Sequence, residues 1–282
     1  MPYGFIKYIE DKGYSPETVK SYEKVIRQFF SFLESTYPNS KEPFQITSSD
    51  IKKYLANQGN RGKSVSTINK ELAILKTLFH YFWENDKVAV DPAVKIKRLK
   101  VTHTPQAEIT YEEILDILER VLKNDKYPKV RKALFILASK GLKTSQFRFK
   151  KDDVTDHTET EKIEIMLKNR ILTLEGPEAS HFQEYFYETV FNGSEYVFST
   201  KTHGMDYGGP IQVMSILSHL RAISREYLAE GREPLTLVAI RRALLIYLYK
   251  KKTPIQVIAH ELGIEEISAS NYLKQILGTK MA

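Results

Sequence analysis

The sequence predicts a mainly α protein of two domains: a small basic helical one, then a larger, mostly helical one that holds a small β-hairpin. Three observations predict it. Apolar residues recur at helical spacing through the first 90 positions with no strand signal, a basic Pro-punctuated stretch follows Asp91-Pro92, and one pair of short alternating segments stands near Lys168. The expected boundaries are 1–92 for the first domain, 93–108 for a linker and 109–282 for the second.

Of 282 residues 42% are hydrophobic and 27% charged, a composition able to bury a core in each domain. Cys is absent, which removes disulfides and thiolate chemistry and is consistent with a cytoplasmic protein. The start, MPYGFIKYIEDKG, has no apolar run behind a basic segment, so no signal peptide is expected, and no run of about 20 apolar residues exists to cross a membrane. The net charge is +7, unevenly placed. Residues 1–105 hold 17 Lys and Arg against 11 Asp and Glu, whereas residues 106–282 hold 25 against 24. A basic first third attached to a near-neutral remainder points to a polyanionic partner, with duplex nucleic acid the commonest kind.

In the first domain Ser15 and Pro16 open a helix whose Val19, Tyr22, Ile26, Phe29 and Leu33 form one buried face. Lys20, Lys24 and Arg27 lie along another face, available to phosphates. A second helix follows Ser48-Ser49-Asp50 to about Asn57. A turn at Gly59 and Gly62 then carries Arg61 and Lys63, and Ser64 caps a longer helix to about Asn85. Val65, Ile68, Leu72, Leu75, Phe79 and Phe82 of that helix point inward, leaving Ser66, Asn69, Lys70 and Lys76 off the stripe, of which Ser66, Asn69 and Lys70, with Arg61 and Lys63 of the turn, are candidate nucleic-acid contacts. Trp83 is expected in the core or at a domain contact. The whole reads as a four-helix unit.

The linker reads DPAVKIKRLKVTHTPQAEIT, and its Lys95, Lys97, Arg98 and Lys100 make a cationic strap that could follow a phosphate backbone. Thr110 and Glu113 form a capping box that opens the second domain, and KVRKALFILASKG is a helix ended by Gly141. KIEIMLKN and RILTLE then alternate as a hairpin turning at Lys168-Asn169. A Gly-rich loop, HGMDYGGP (203–210), lacks phosphate-cradle spacing and precedes a helix from about Ile211 to Glu230. No pattern calls for a metal or a cofactor.

Three stretches carry a family resemblance. GLKTSQFRFKKDDV (141–154) is similar to the box GLRxSEL...L...D of the tyrosine recombinases, or phage integrases. The hairpin at Lys168 resembles the one that carries that family's lysine. RRALLIYLYKKKTPIQVIAHELGIEEISASNY resembles the closing boxes HxLRHTxAxxLL...G...I...LGH......Y. Taken with the order of the domains, the resemblance spans nearly the whole chain. It implies a SAM-like, core-binding first domain and a recombinase-type second domain that together grip duplex DNA, with Arg241 and Arg242 near the DNA and a homo-oligomer on DNA as a further expectation. It also implies a tyrosine that attacks a DNA phosphodiester.

The catalytic positions carried over are Lys143 for the first arginine, Lys168 for the hairpin lysine, Arg241 for the second arginine and Tyr272 for the nucleophile. The departures bear on chemistry. Lys143 keeps a charge without the bidentate fork. Val238 stands where the family has His, which removes proton handling worth roughly 10²–10⁴-fold. Ile264 replaces a phosphate donor, a loss of about 10²–10³-fold by analogy with oxyanion donors. Tyr272 comes eight residues after that position where nine is usual. The expectation is a catalytically degenerate member that binds DNA without cutting it, such as a prophage-type repressor.

Two other readings stand beside it. In one the chain is an active recombinase whose missing groups come from His203, His219 or His260. In the other, PIQVIAHELGIEEISASNYLKQI is a helix-turn-helix with Tyr272 in its core.

Overall fold

The computed structural model describes residues 4–39, 41–100, 109–201 and 207–280, which fall into two compact units, 1–104 and 105–282. The first unit is a helical domain with its own core. Its helices are α1 (Phe5–Asp11), α2 (Pro16–Thr36), α3 (Ser48–Asn60) and α4 (Val65–Glu84). Ser15 accepts the Thr18 N–H and Ser64 the Thr67 N–H, so both expected caps form. For α3 the cap is Thr47 rather than Ser48 or Ser49, in a reciprocal box with Asp50. Phe5, Ile9, Ile26, Phe29, Leu33, Tyr54, Leu75, Phe79 and Phe82 share one core. Trp83 is outside it, about half exposed and stacked on His80, which rules out the core half of its expectation.

The expected linker begins later than residue 93. Ala93 and Ile96 are buried in the first core. Asn69 both donates to the Leu99 carbonyl and accepts from the Leu99 N–H at 2.8 Å, while Lys76 Nζ donates to the Val94 carbonyl at 3.1 Å. Residues 94–99 therefore lie along α4, with Lys95, Lys97 and Arg98 exposed. Positions 101–108 of the expected linker are outside the described residues.

The second unit packs helices around α6 (Lys129–Ser139), which is buried from Lys132 through Ser139. Before it comes α5 (Tyr111–Lys123), opened by the Thr110–Glu113 box. Lys132 is tolerated inside because its ammonium caps the α5 end at the Leu122 carbonyl, 2.6 Å away. Next come β1 (Val154–His157), β2 (Lys162–Leu167) and β3 (Arg170–Glu175) in one antiparallel sheet of order β1-β2-β3. The hairpin is as expected, with Leu167 opposite Arg170; β1 is an addition to it. After α7 (Gly176–Val190), β4 (Ser199–Lys201) pairs with β5 (Tyr207–Pro210). Part of the Gly-rich stretch is thus strand, while 203–206 is outside the described residues. Helices α8 (Val213–Tyr227), α9 (Leu237–Lys250), α10 (Ile255–Leu262) and α11 (Glu266–Lys280) complete the unit. Among the described residues no helix is long and apolar enough to cross a membrane.

Candidate functional site

The candidate site forms where the ends of α6 and α10 meet the β2–β3 hairpin and α9. Each helix ends in a glycine with positive φ, Gly141 at 77° and Gly263 at 59°, which only Gly adopts without strain. Those turns expose C-terminal carbonyls, and a guanidinium takes them. Arg241, in the second turn of α9, donates through Nη1 to the Gly141 carbonyl and through Nη2 to the Leu262 carbonyl at 3.0 Å. Burial lowers its pKa from the ordinary arginine value, and proximity to Tyr272 partly offsets this. Two of its five N–H donors are thereby engaged by main-chain carbonyls rather than by a carboxylate.

Tyr272 is partly buried on α11 and packs against the second core. Leu273, the next residue, holds the ninth position after Ile264 and is buried with Ala269 and Ile276. One residue on a helix is a rotation of about 100°, so the side chain at the usual tyrosine spacing is a leucine facing the core. Lys143 and Lys168 are exposed. Gln146, which stands for the family's Glu, accepts the Lys143 N–H at 3.0 Å. Next to Lys168, Asn169 donates to the Gly263 carbonyl at 3.3 Å, which ties the hairpin turn to the α10–α11 turn.

The two apolar departures differ from each other. Ile264 is partly buried and packs on the core. Val238, whose apolar side chain would ordinarily pack, is 69% exposed one turn before Arg241; it offers an apolar surface where the family resemblance places a proton carrier. Of the alternative histidines, His219 lies toward the N-terminal end of α6, where Arg131 Nε approaches its Nδ1 at 3.5 Å. Arg131 is ten residues from Gly141, about 15 Å along the helix line. Burial and Arg131 both lower the His219 pKa. His260 is exposed on α10, and His203 is outside the described residues.

The helix-turn-helix outline is present in α10, the Gly263 turn and α11, with Ile258, Ala259, Leu262 and Ala269 buried. Glu265 and Glu266 are exposed at the start of α11, a poor electrostatic match for phosphate.

The proposed DNA-contact residues divide in the same way. Lys20, Lys24, Arg61, Ser66 and Lys70 are exposed. Arg27 is exposed and pairs with Glu23 at 2.8 Å. Lys63 is already engaged, its ammonium held by the buried Glu71 at 2.5 Å and by Gln28 at 3.2 Å, and Glu71 also accepts from buried Tyr54. Asn69 is likewise occupied by Leu99, and Arg242 is partly buried. The Lys63–Gln28 bond still has a use: it sets the Lys20-Lys24-Gln28 edge of α2 beside the turn that carries Arg61.

Sequence inspection overlooked Arg170. It begins β3 on the face shared with Leu172 and Leu174, and its side chain is 2% exposed. The alternation of RILTLE does hold the signal, since it places an arginine on the apolar side of the strand.

Residues 3–87 match the phage integrase N-terminal SAM-like domain. Tyrosine recombinase XerD of Listeria monocytogenes is 30% identical over 92 residues, 33% of this chain and 31% of that protein. XerD of Listeria innocua is 26% identical over 154 residues, 52% of this chain and 50% of that protein. Among solved structures, the Tn1549 transposon integrase in complex with circular intermediate DNA has a TM-score of 0.69 at 19% identity, covering 94% of this chain and 92% of that one. The lambda integrase dimer bound to a core site has a TM-score of 0.66 at 15% identity, covering 95% and 92%.

Residues 3–87 therefore carry a phage integrase N-terminal SAM-like domain, and the chain as a whole has the fold of these integrases.

The sequence matches span a third to a half of the curated relatives' length, and the structural likeness at these identities concerns the fold. Among the described residues no group of three or more His, Asp or Glu gathers as a metal site.

Proposed function

We propose that this family member binds duplex DNA and does not cleave it, acting as a sequence-specific regulator of the repressor kind. The observation that carries the reading is the state of the Arg241 site. Its guanidinium caps two helix ends, an exposed valine occupies the proton-handling position, and leucine holds the usual tyrosine spacing. Phosphoryl transfer needs charge stabilisation and a proton path together, and a tyrosine with an ordinary pKa near ~10 is a poor unassisted nucleophile at neutral pH. DNA binding is supported by the basic first third of the chain, by the exposed Lys20, Lys24, Arg61, Lys70, Lys95, Lys97 and Arg98, and by structural neighbours that are integrases in complex with DNA. Arg241, with three donors beyond those on the carbonyls, is the group to meet a phosphate oxygen.

The recombinase reading retains one observation in its favour, the proximity of Tyr272 to Arg241. Binding is tested by footprinting the full chain on the DNA around its own gene at low and moderate salt. Protection of a discrete site, weakening steeply with salt, is expected. Failure to bind any duplex at low salt removes both readings.

A further inference from the structure

We infer that Arg170 is a positioning residue for Arg241, holding it in place to meet a DNA phosphate. The inference rests on the proposal that Arg241 makes such a contact. Arg170 Nη2 donates to the Lys140 carbonyl at 2.8 Å, and Nη1 stands 4.0 Å from the Glu261 carboxylate. Its Cγ and Cδ lie 3.7 and 3.6 Å from where a side chain on Gly263 would start. Arg241 takes the adjoining groups, the carbonyls of Gly141 and Leu262. Two guanidiniums are thus braced between the same two helix ends, one on residues 140 and 261, the other on 141 and 262.

The electrostatics explain why both remain. Each helix C-terminus carries roughly −0.5 of a charge, so two ends partly offset two cations in a nearly dry setting. The offset is incomplete. Burial first, then repulsion from Arg241, lowers the Arg170 pKa to about 10, against a pull upward from Glu261. Its Nε, fully buried, has no hydrogen-bond partner among the described residues. On the apolar face of the strand, Arg170 is therefore only partly compensated by its own contacts.

Arg170 occupies the Lys140 carbonyl and stands beside the half-exposed Glu261 carboxylate, the two groups that would otherwise draw Arg241 down. Without Arg170, Arg241 turns toward Glu261 and is lost to DNA. The hairpin adds to the arrangement, because Asn169 fixes the Gly263 turn from the same strand end.

The test is the salt dependence of binding of the full chain to the duplex it protects, or to a random-sequence duplex of about 30 base pairs if no site is found. Each phosphate contact contributes about 0.9 to the slope of log K against log salt. Arg241→Ala should lower the slope by about one, and Arg170→Gln should lower it equally. The double variant should match Arg241→Ala alone. Adding Glu261→Gln to Arg170→Gln should restore the slope, which a loss of packing would not do. If Arg170→Gln does not fold, Arg170→Lys is measured instead. Its single ammonium does not span Lys140 and Glu261, so the same loss and the same rescue are expected. A full slope in the Arg170 variant beside a reduced one in Arg241→Ala overturns the inference. A full slope in Arg241→Ala removes the phosphate contact itself, and the inference with it.

Discussion

Asp50 shows how single residues in this chain combine local and long-range roles. It closes the α3 capping box with Thr47 and is itself buried, while Lys41 at 2.8 Å and the Tyr37 hydroxyl donate to it. Burial alone would raise its pKa; hydrogen bonds from Lys41, Tyr37 and Thr47 outweigh that and hold it at about 2. The folded value lies below the unfolded carboxylate value of ~3.9, so the stabilisation is complete above about pH 4 and disappears as pH falls through 2. With Lys41 part exposed, about 1–2 kcal/mol is expected from this group. Denaturant melts of wild type and Asp50→Asn should differ at pH 6 and converge by about that amount near pH 2. A constant gap across this range would show that Asp50 does not act through its charge.

The same scale explains what sequence reading found and missed in the site. Arg241 and Tyr272 were visible because their boxes have a fixed order along the chain. Arg170 was hidden because its partners, the carbonyls of residue 140 and the side chain of 261, come from other segments. Lys63 reads as a free cation in its turn, and only the fold brings Glu71 and Gln28 to it.

Among the elements, those with long apolar periods were legible and those built by pairing were not. The α2 and α4 stripes and the β2–β3 alternation carry their own signal. In β1, VTDH holds one apolar residue, so it becomes a strand only because β2 offers an edge. In β4 and β5 the pairing joins two short segments, with Thr200 donating to the Gly209 carbonyl. The 94–99 segment has no apolar period and reads as linker, yet Asn69 and Lys76 fasten it to α4. Asn69→Ala should therefore destabilise the first unit by about 1 kcal/mol and speed amide hydrogen exchange at Leu99. Unchanged protection at Leu99 would mean that the segment is held by Ala93 and Ile96 alone.

For the molecule as a whole, charge and chemistry are divided between two units. The first supplies most of the excess positive charge and a set of exposed cations, which is the electrostatic footprint that the proposed DNA binding calls for. The second has the integrase fold, with two glycine-ended helices, a hairpin and a tyrosine helix around one arginine, and holds Val238 and Ile264 at the two apolar departures. In the proposed reading Arg241 keeps a structural use, capping two helix ends, whether or not the site around it does chemistry.

The most direct test of binding without cutting uses a duplex that carries the protected site and a nick, so that any cleavage product is trapped on the protein. The full chain is incubated with it at low salt, and the same sample is resolved on native and denaturing gels. The account predicts a retarded complex on the native gel and no protein–DNA adduct under denaturing conditions. An adduct that survives denaturation and is abolished by Tyr272→Phe would contradict it.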